Sequence, residues 1–185
     1  MPITVDSYSE TNSSASTTYT DYHGYSFGQS FTGDGSSLSS VAVYLRRTGG
    51  FSNNINVFIY AHSGTYGTSS VPTGSVLATS DSIDSSTIGE TLGLVEFTFS
   101  GGNQITLVDG TYYTLIVLID GGAPSNTNIV YGGLDDTSPS HDGNHIYDGG
   151  GGWLPESTED LCFYVYGIGS ENPITFSPMP SFLRQ

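Results

Sequence analysis

The sequence predicts an all-β protein: a jelly-roll-like antiparallel β-sandwich of eight or nine strands with an extended C-terminal arm. Three observations carry that expectation. Hydrophobic residues recur with a period of two in short segments, as they do in strands that bury one face. The i, i+3, i+4, i+7 spacing of an amphipathic helix is missing from every long stretch. The segments are separated by clusters of Gly, Asp, Asn and Pro, which supply the dihedral angles of tight turns.

The elements follow in order. A strand is expected at residues 3–7. Residues 9–22 form a low-complexity polar stretch, expected to be a long surface loop or an edge strand. A strand at 26–32 precedes the turn Thr32-Gly33-Asp34-Gly35, and Val41, Val43 and Leu45 then alternate with Ala42 and Tyr44. Beyond Thr48-Gly49-Gly50, Ile55, Val57, Ile59 and Ala61 take one face and Asn56, Phe58, Tyr60 and His62 the other. Further strands are predicted at 75–82, 94–100, 111–120, 128–132 and 161–168. The run from Tyr112 to Ile119 is apolar on both faces, so it belongs at the centre of a sheet with its second face covered by a loop, a strand or another subunit. After Gly169 the alternation stops. Residues 170–185 carry Pro173, Pro178 and Pro180 among Phe176, Met179, Phe182 and Leu183, which opposes helix and central strand alike. The chain therefore divides into a sandwich domain, 1–169, and a Pro-rich apolar arm, 170–185, that docks on its own domain or on a neighbouring subunit.

Composition narrows the function. Of 185 residues, 18 are acidic against three Arg and no Lys, a formal net charge of -15 that repels nucleic-acid phosphate and anionic lipid. Neither is an expected partner. Charged residues make up only 11%, unlike a disordered acidic tail, and 36% hydrophobic with 12% aromatic residues suffices for a core. Cys162 is the single cysteine, so no intrachain disulfide forms and the thiol is expected in the core. The start of the sequence carries neither a basic nor an apolar signal region, and no run is long enough to span a bilayer. Synthesis in the cytoplasm without signal-directed export is the expectation.

The run Gly28-Gln29-Ser30-Phe31-Thr32, the segment Leu38 to Leu45, Val57-Phe58-Ile59-Tyr60, Pro72-Thr73-Gly74-Ser75, Gly110-Thr111-Tyr112-Tyr113 and Phe163-Tyr164-Val165-Tyr166-Gly167 resemble β-sandwich modules of the choice-of-anchor R type. The resemblance covers residues 25–168. It implies a sandwich used for binding or display, without known catalysis, in bacterial surface proteins or the virions of tailed phages. Without a recognisable signal, sorting anchor or further domain, this sequence points to the virion setting, with an extracellular location as the alternative.

Residues 134–153 are the most unusual segment. Asp142, Asn144 and Asp148 are oxygen donors with a loose Ca²⁺-like spacing, though the register of an EF-hand and its closing Glu are missing. No other cofactor is expected. His141 and His145 are a weak zinc pair, since Gly143 between them opposes the helix that four-residue spacing requires. Glu156 with Glu159 or Asp160 is an acid pair of unknown geometry. Neither a nucleophile elbow nor a phosphate loop is present, so no catalytic residue is assigned and no enzyme is expected. Tyr44, Phe58 and Tyr60 are expected to form an aromatic stripe on the outside of one sheet, with Trp153 as a platform or cap. Together with Phe176, Met179, Phe182 and Leu183 of the arm, these are the candidate ligand or interface residues. The expected function is that of a virion structural or display subunit, such as a capsid decoration or a spike or fibre-associated protein. It would bind other virion subunits or itself as a homo-oligomer; the alternative is a carbohydrate-binding module for cell-surface glycans.

Overall fold

Period-two alternation becomes burial only when strands pair, and the computed structural model shows how they do so for residues 2–21, 25–50, 52–120 and 128–169. In chain order the strands are β1 (Pro2–Tyr8), β2 (Ser16–Asp21), β3 (Ser26–Thr32), β4 (Ser37–Thr48), β5 (Asn54–Ser63), β6 (Val71–Thr79) and β7 (Ile83–Asp84). They continue with β8 (Gly93–Thr98), β9 (Tyr112–Asp120), β10 (Ile129–Asp135), β11 (His145–Asp148), β12 (Trp153–Glu156), β13 (Asp160–Leu161) and β14 (Phe163–Ile168). All pairings are antiparallel. One sheet runs β1-β14-β4, with β8 on β4 and with β10, β2 and β13 continuing it; the other runs β12-β11-β3-β9-β5-β6, with β7 on β5. The two sheets face each other as a sandwich over one core that includes Phe27, Phe31, Val41, Val43, Ile59, Phe97, Leu115, Val117, Phe163 and Val165.

Fourteen strands stand among the described residues where eight or nine were expected. The excess comes from short pairings such as β7 and β13, and from the hairpin β11–β12 inside a segment for which no strand was predicted. Residues 16–21 of the polar stretch pair with β10 as an edge strand. The arm at 170–185, with Phe176, Met179, Phe182 and Leu183, lies outside the described residues.

Strand β4 holds its sheet together. β14 pairs with its residues 37–43, β10 with 45–48 and β8 with 40–45. Where β10 gives way to β13 and β14, Cys162 N donates to the Gly133 carbonyl at 3.0 Å and Tyr44 N to the Cys162 carbonyl at 3.1 Å, so the ladder continues across the fork. Two glycines make this possible. A Cβ on Gly132 would stand 2.5 Å from the Phe27 ring, and one on Gly133 2.6 Å from the Tyr44 ring. A register slip near Ser39 lets both Leu38 and Val41 reach the core, which strict alternation forbids.

In the second sheet β9 lies between β3 and β5, the central place its two apolar faces predict. Leu115 and Val117 point into the core, and Ile116 on the other face is still only 2% exposed. Part of that outer face is covered by the β5–β6 connection. Tyr66 stacks on Tyr112 at 3.9 Å between centroids, Ser70 N donates to Asn144 Oδ1 at 3.1 Å, and β6 comes against β12.

The closest backbone approach in this sheet is at Gly28, where a Cβ would lie 1.8 Å from the Leu115 carbonyl oxygen. Gly28→Ala therefore has to push β3 from β9 and is expected to cost about 3 kcal/mol. Gly93→Ala, into open space, is expected to change stability by less than about 0.5 kcal/mol. Urea unfolding midpoints of the two variants measure the difference.

Candidate functional site

Two clefts concentrate the polar chemistry. The larger, about 770 Å³, lies where the end of β1 meets the end of β3, and its walls include Asp6, Tyr8, Asp34, Tyr66, His141 and Asp142. A bulge between Thr4 and Asp6 changes the alternation of β1 at this point. The Asp6 carboxylate accepts from Thr32 N at 2.8 Å, Ser7 N at 2.8 Å and His141 Nε2 at 3.0 Å. His141 Nδ1 accepts from Gly143 N at 2.9 Å, so the ring proton belongs on Nε2, the atom that faces Asp6. Behind the ring, Gln29 Nε2 lies 3.2 Å from Nδ1 and donates to Asp160 Oδ1 at 2.8 Å. Gln29 Oε1 accepts from Leu161 N at 3.0 Å, and Asp160 Oδ2 accepts from His141 N at 2.9 Å. Phe163 and Tyr8 meet the imidazole edge-on.

This network binds chain to chain. Both nitrogens of His141 are engaged, which leaves no lone pair for proton transfer to a substrate. Asp135 is occupied as well: it accepts from Tyr8 Oη at 2.7 Å, Thr137 N at 3.0 Å and Ser138 N at 3.1 Å. Those donors, the Tyr8 hydroxyl foremost, hold its carboxyl down at about 2. Burial, and then the Asp135 carboxylate, push Tyr8 up. Burial also raises Asp160, against the hydrogen bonds from Gln29 and His141 N, and pushes the Cys162 thiol up to about 12. Tyr66, whose hydroxyl accepts from Thr32 Oγ1 at 3.1 Å, is raised by burial.

The second cleft, about 400 Å³, opens between β2 and the β11–β12 hairpin, with Thr18, Tyr19, Asp136, His145, Tyr147, Glu156 and Glu159 on its walls. A smaller recess of about 250 Å³ shares Thr18, Tyr19 and Tyr147 with it and adds Tyr25 and Asp148. The hairpin is set by Asp148, whose Oδ1 accepts from Gly150 N at 2.8 Å and Gly152 N at 3.0 Å, with both glycines at positive φ. His145 and Tyr147 project from one face of β11, their rings 6.0 Å apart. The His145 side chain is 2% exposed, and Glu159 Oε2 stands 3.0 Å from its Nδ1. That approach lacks hydrogen-bond geometry, and neither ring nitrogen has a hydrogen-bond partner. Leaving such atoms unsatisfied costs roughly 1–3 kcal/mol.

The residues singled out in the sequence are dispersed. Asn144, just ahead of β11, and Asp148, at its far end, stand about 13 Å apart at strand rise. Asn144 is buried, its Oδ1 accepting from Ser70 N and its Nδ2 donating to the His145 carbonyl, while Asp148 caps its own turn. With exposed Asp142 they form no converging Ca²⁺ site, and no group of three or more His, Cys, Asp or Glu among the described residues could hold a metal ion. His141 and His145 keep separate company, the first with Asp6 and the second with Glu159. Glu156 and Glu159 share the second cleft, whereas Asp160 is buried in the Gln29 network. The single aromatic stripe is corrected: Phe58 and Tyr60 are on β5, but Tyr44 is on β4 in the opposite sheet, against Gly133. Alternation assigns a residue to a face without saying of which sheet. Trp153 is half-buried on β12, paired with Asp148. Gln29, Tyr8, Asp6, Tyr66 and Tyr147 were not anticipated, because their partners are far away in sequence.

Scanned against protein-family models and against curated proteins, the chain gave no match. No helix among the described residues is long and apolar enough to cross a membrane.

A carboxyl held below its ordinary value contributes stability that is complete above that value and lost as pH falls through the folded one. The part due to Asp135 is therefore expected to disappear between pH 3.8 and about 2. Asp160, raised, acts with the opposite sign, so the measurement is a difference: urea midpoints against pH for wild type and Tyr8→Phe, with the variant showing the shallower acid loss. The Cys162 thiol is expected to resist a disulfide reagent at pH 8 in the folded protein and to react once urea unfolds it.

Proposed function

We propose that this chain is a non-enzymatic virion display subunit, a jelly-roll sandwich that works through contacts with neighbouring subunits. One observation carries the reading: among the described residues, six of the ten exposed large hydrophobics lie on strands paired on one side only, namely Ile3 on β1, Tyr19 on β2, Val76 and Leu77 on β6, Leu94 on β8 and Leu154 on β12. A free edge offers unpaired N–H and C=O groups, and an isolated protein protects it with charge rather than aliphatic side chains. The engaged nitrogens of His141 favour a scaffold over a catalyst. The order β1-β14-β4-β8 against β3-β9-β5-β6, with the chain crossing between sheets at β3–β4, β4–β5 and β8–β9, supports the jelly-roll arrangement. The resemblance of residues 25–168 to choice-of-anchor R modules supports display, on a virion before another extracellular setting.

Light scattering on the eluting full chain, on a chain ending at Gly169, and on Leu94→Lys and Leu154→Lys tests it. The expected outcome is an assembly of the full chain that at least one of these changes reduces to monomer. A monomer throughout that also fails to associate with other virion proteins would remove the proposal.

A further inference from the structure

We propose that the cleft between β2 and the β11–β12 hairpin is a saccharide site, selective for hydroxyl-rich sugars that carry no negative charge. This goes beyond the display reading and does not depend on it. The cleft, about 400 Å³ and continuous through Tyr19 and Tyr147 with the recess beside Tyr25, has the size of a small-ligand pocket. Its wall is aromatic and polar together. Tyr147 and Tyr19 are 38% and 41% exposed. A tyrosine offers a flat apolar face with a polar tip, which suits the C–H face and hydroxyl rim of a pyranose.

His145 separates this cleft from the larger one. Around His141 both ring nitrogens and the Asp6 carboxylate are already paired, so a ligand there would have to break bonds that tie strands together. At the hairpin, His145 is buried on the cleft wall, its Nδ1 3.0 Å from Glu159 Oε2 and its Nε2 without a protein hydrogen bond. A sugar hydroxyl can donate to or accept from Nε2, according to the tautomer. Selectivity follows from charge: Asp136, Glu156 and Glu159 line the cleft and Asp148 the adjoining recess, and no Arg among the described residues lines either one. Carboxylates accept from hydroxyls and ammonium groups, and they repel uronates, sialic acids and phosphorylated sugars.

The experiment uses the full chain on an array of neutral, amino and anionic glycans, followed by calorimetric titration of the tightest binder and of tetragalacturonate. The expected result is binding of a neutral or amino glycan, none of tetragalacturonate, and about tenfold weaker binding by Tyr147→Ala with Val108→Ala unchanged. Amide and ring NMR signals of the wild type report the site without any variant, and shifts should gather at Tyr19, His145, Tyr147 and Glu156. An array without binders, a preference for anionic glycans, shifts centred on His141, or full affinity in a folded Tyr147→Ala would overturn the proposal. None of these outcomes depends on the assembly mass, so failure here is distinguishable from failure of the display reading.

Discussion

The Gln29 side chain is the contact on which one end of the sandwich depends. It sits on β3 with no exposure, and its amide reaches Asp160, His141 and the Leu161 backbone. Through them it joins β3 of one sheet to β13 of the other and to the segment ahead of β11. His141 extends the chain of contacts to Asp6 on β1. Buried polar groups cost free energy unless every partner is present, so this end has one low-energy arrangement. An apolar residue at position 29 would pack, but it would leave Asp160 and Leu161 N without their partners.

The polar groups fall into two populations, and the division explains why chemistry is hard to assign to so many Asp, His and Tyr residues. Asp6, Asp135 and Asp160 receive backbone N–H groups, and thereby fix the loops that β-strands leave without ladder partners. Asp136, Glu156 and Glu159 instead line an open cleft, although Glu156 accepts from Thr158 N and Oγ1 and Asp136 from Ser14 Oγ. Acidity is common to both groups; what separates them is burial between strands against exposure on a cleft wall.

The same distinction governs what could be read beforehand. Strands β3, β5 and β9 were legible because long alternation and flanking glycines are local properties; for β3 even the bounds, 26–32, agree. The β11–β12 hairpin was not. His145–Asp148 is too short to establish a period, the glycine run beside it reads as loop, and Pro155 argues against a strand although an edge strand accepts it. Of the cleft's walls, the sequence singled out His145 as a zinc candidate and Glu156 with Glu159 as an acid pair, without placing them together. Tyr19 was unreadable as a wall of the cleft, since it comes from a polar stretch more than a hundred residues away. His141 and His145 looked equivalent and are not, because neighbours across the fold decide what each ring does.

The fork at Gly133 and Cys162 has one more consequence. The chain leaves the sandwich at Asp135 and returns at Asp160, and these two residues are register partners in the β10–β13 ladder. The hairpin between them is thus a closed detour whose ends are already clamped together. Beyond His141 and Asn144, which are tied to Gln29, Asp6, Asp160, Ser30 and Ser70, its length and composition can change without altering the path of any strand of the main sandwich, provided that the replacement still lays a strand along β3. Such a detour behaves like an interchangeable tool head on a fixed handle: one sandwich can carry a succession of different hairpins, each presenting another surface.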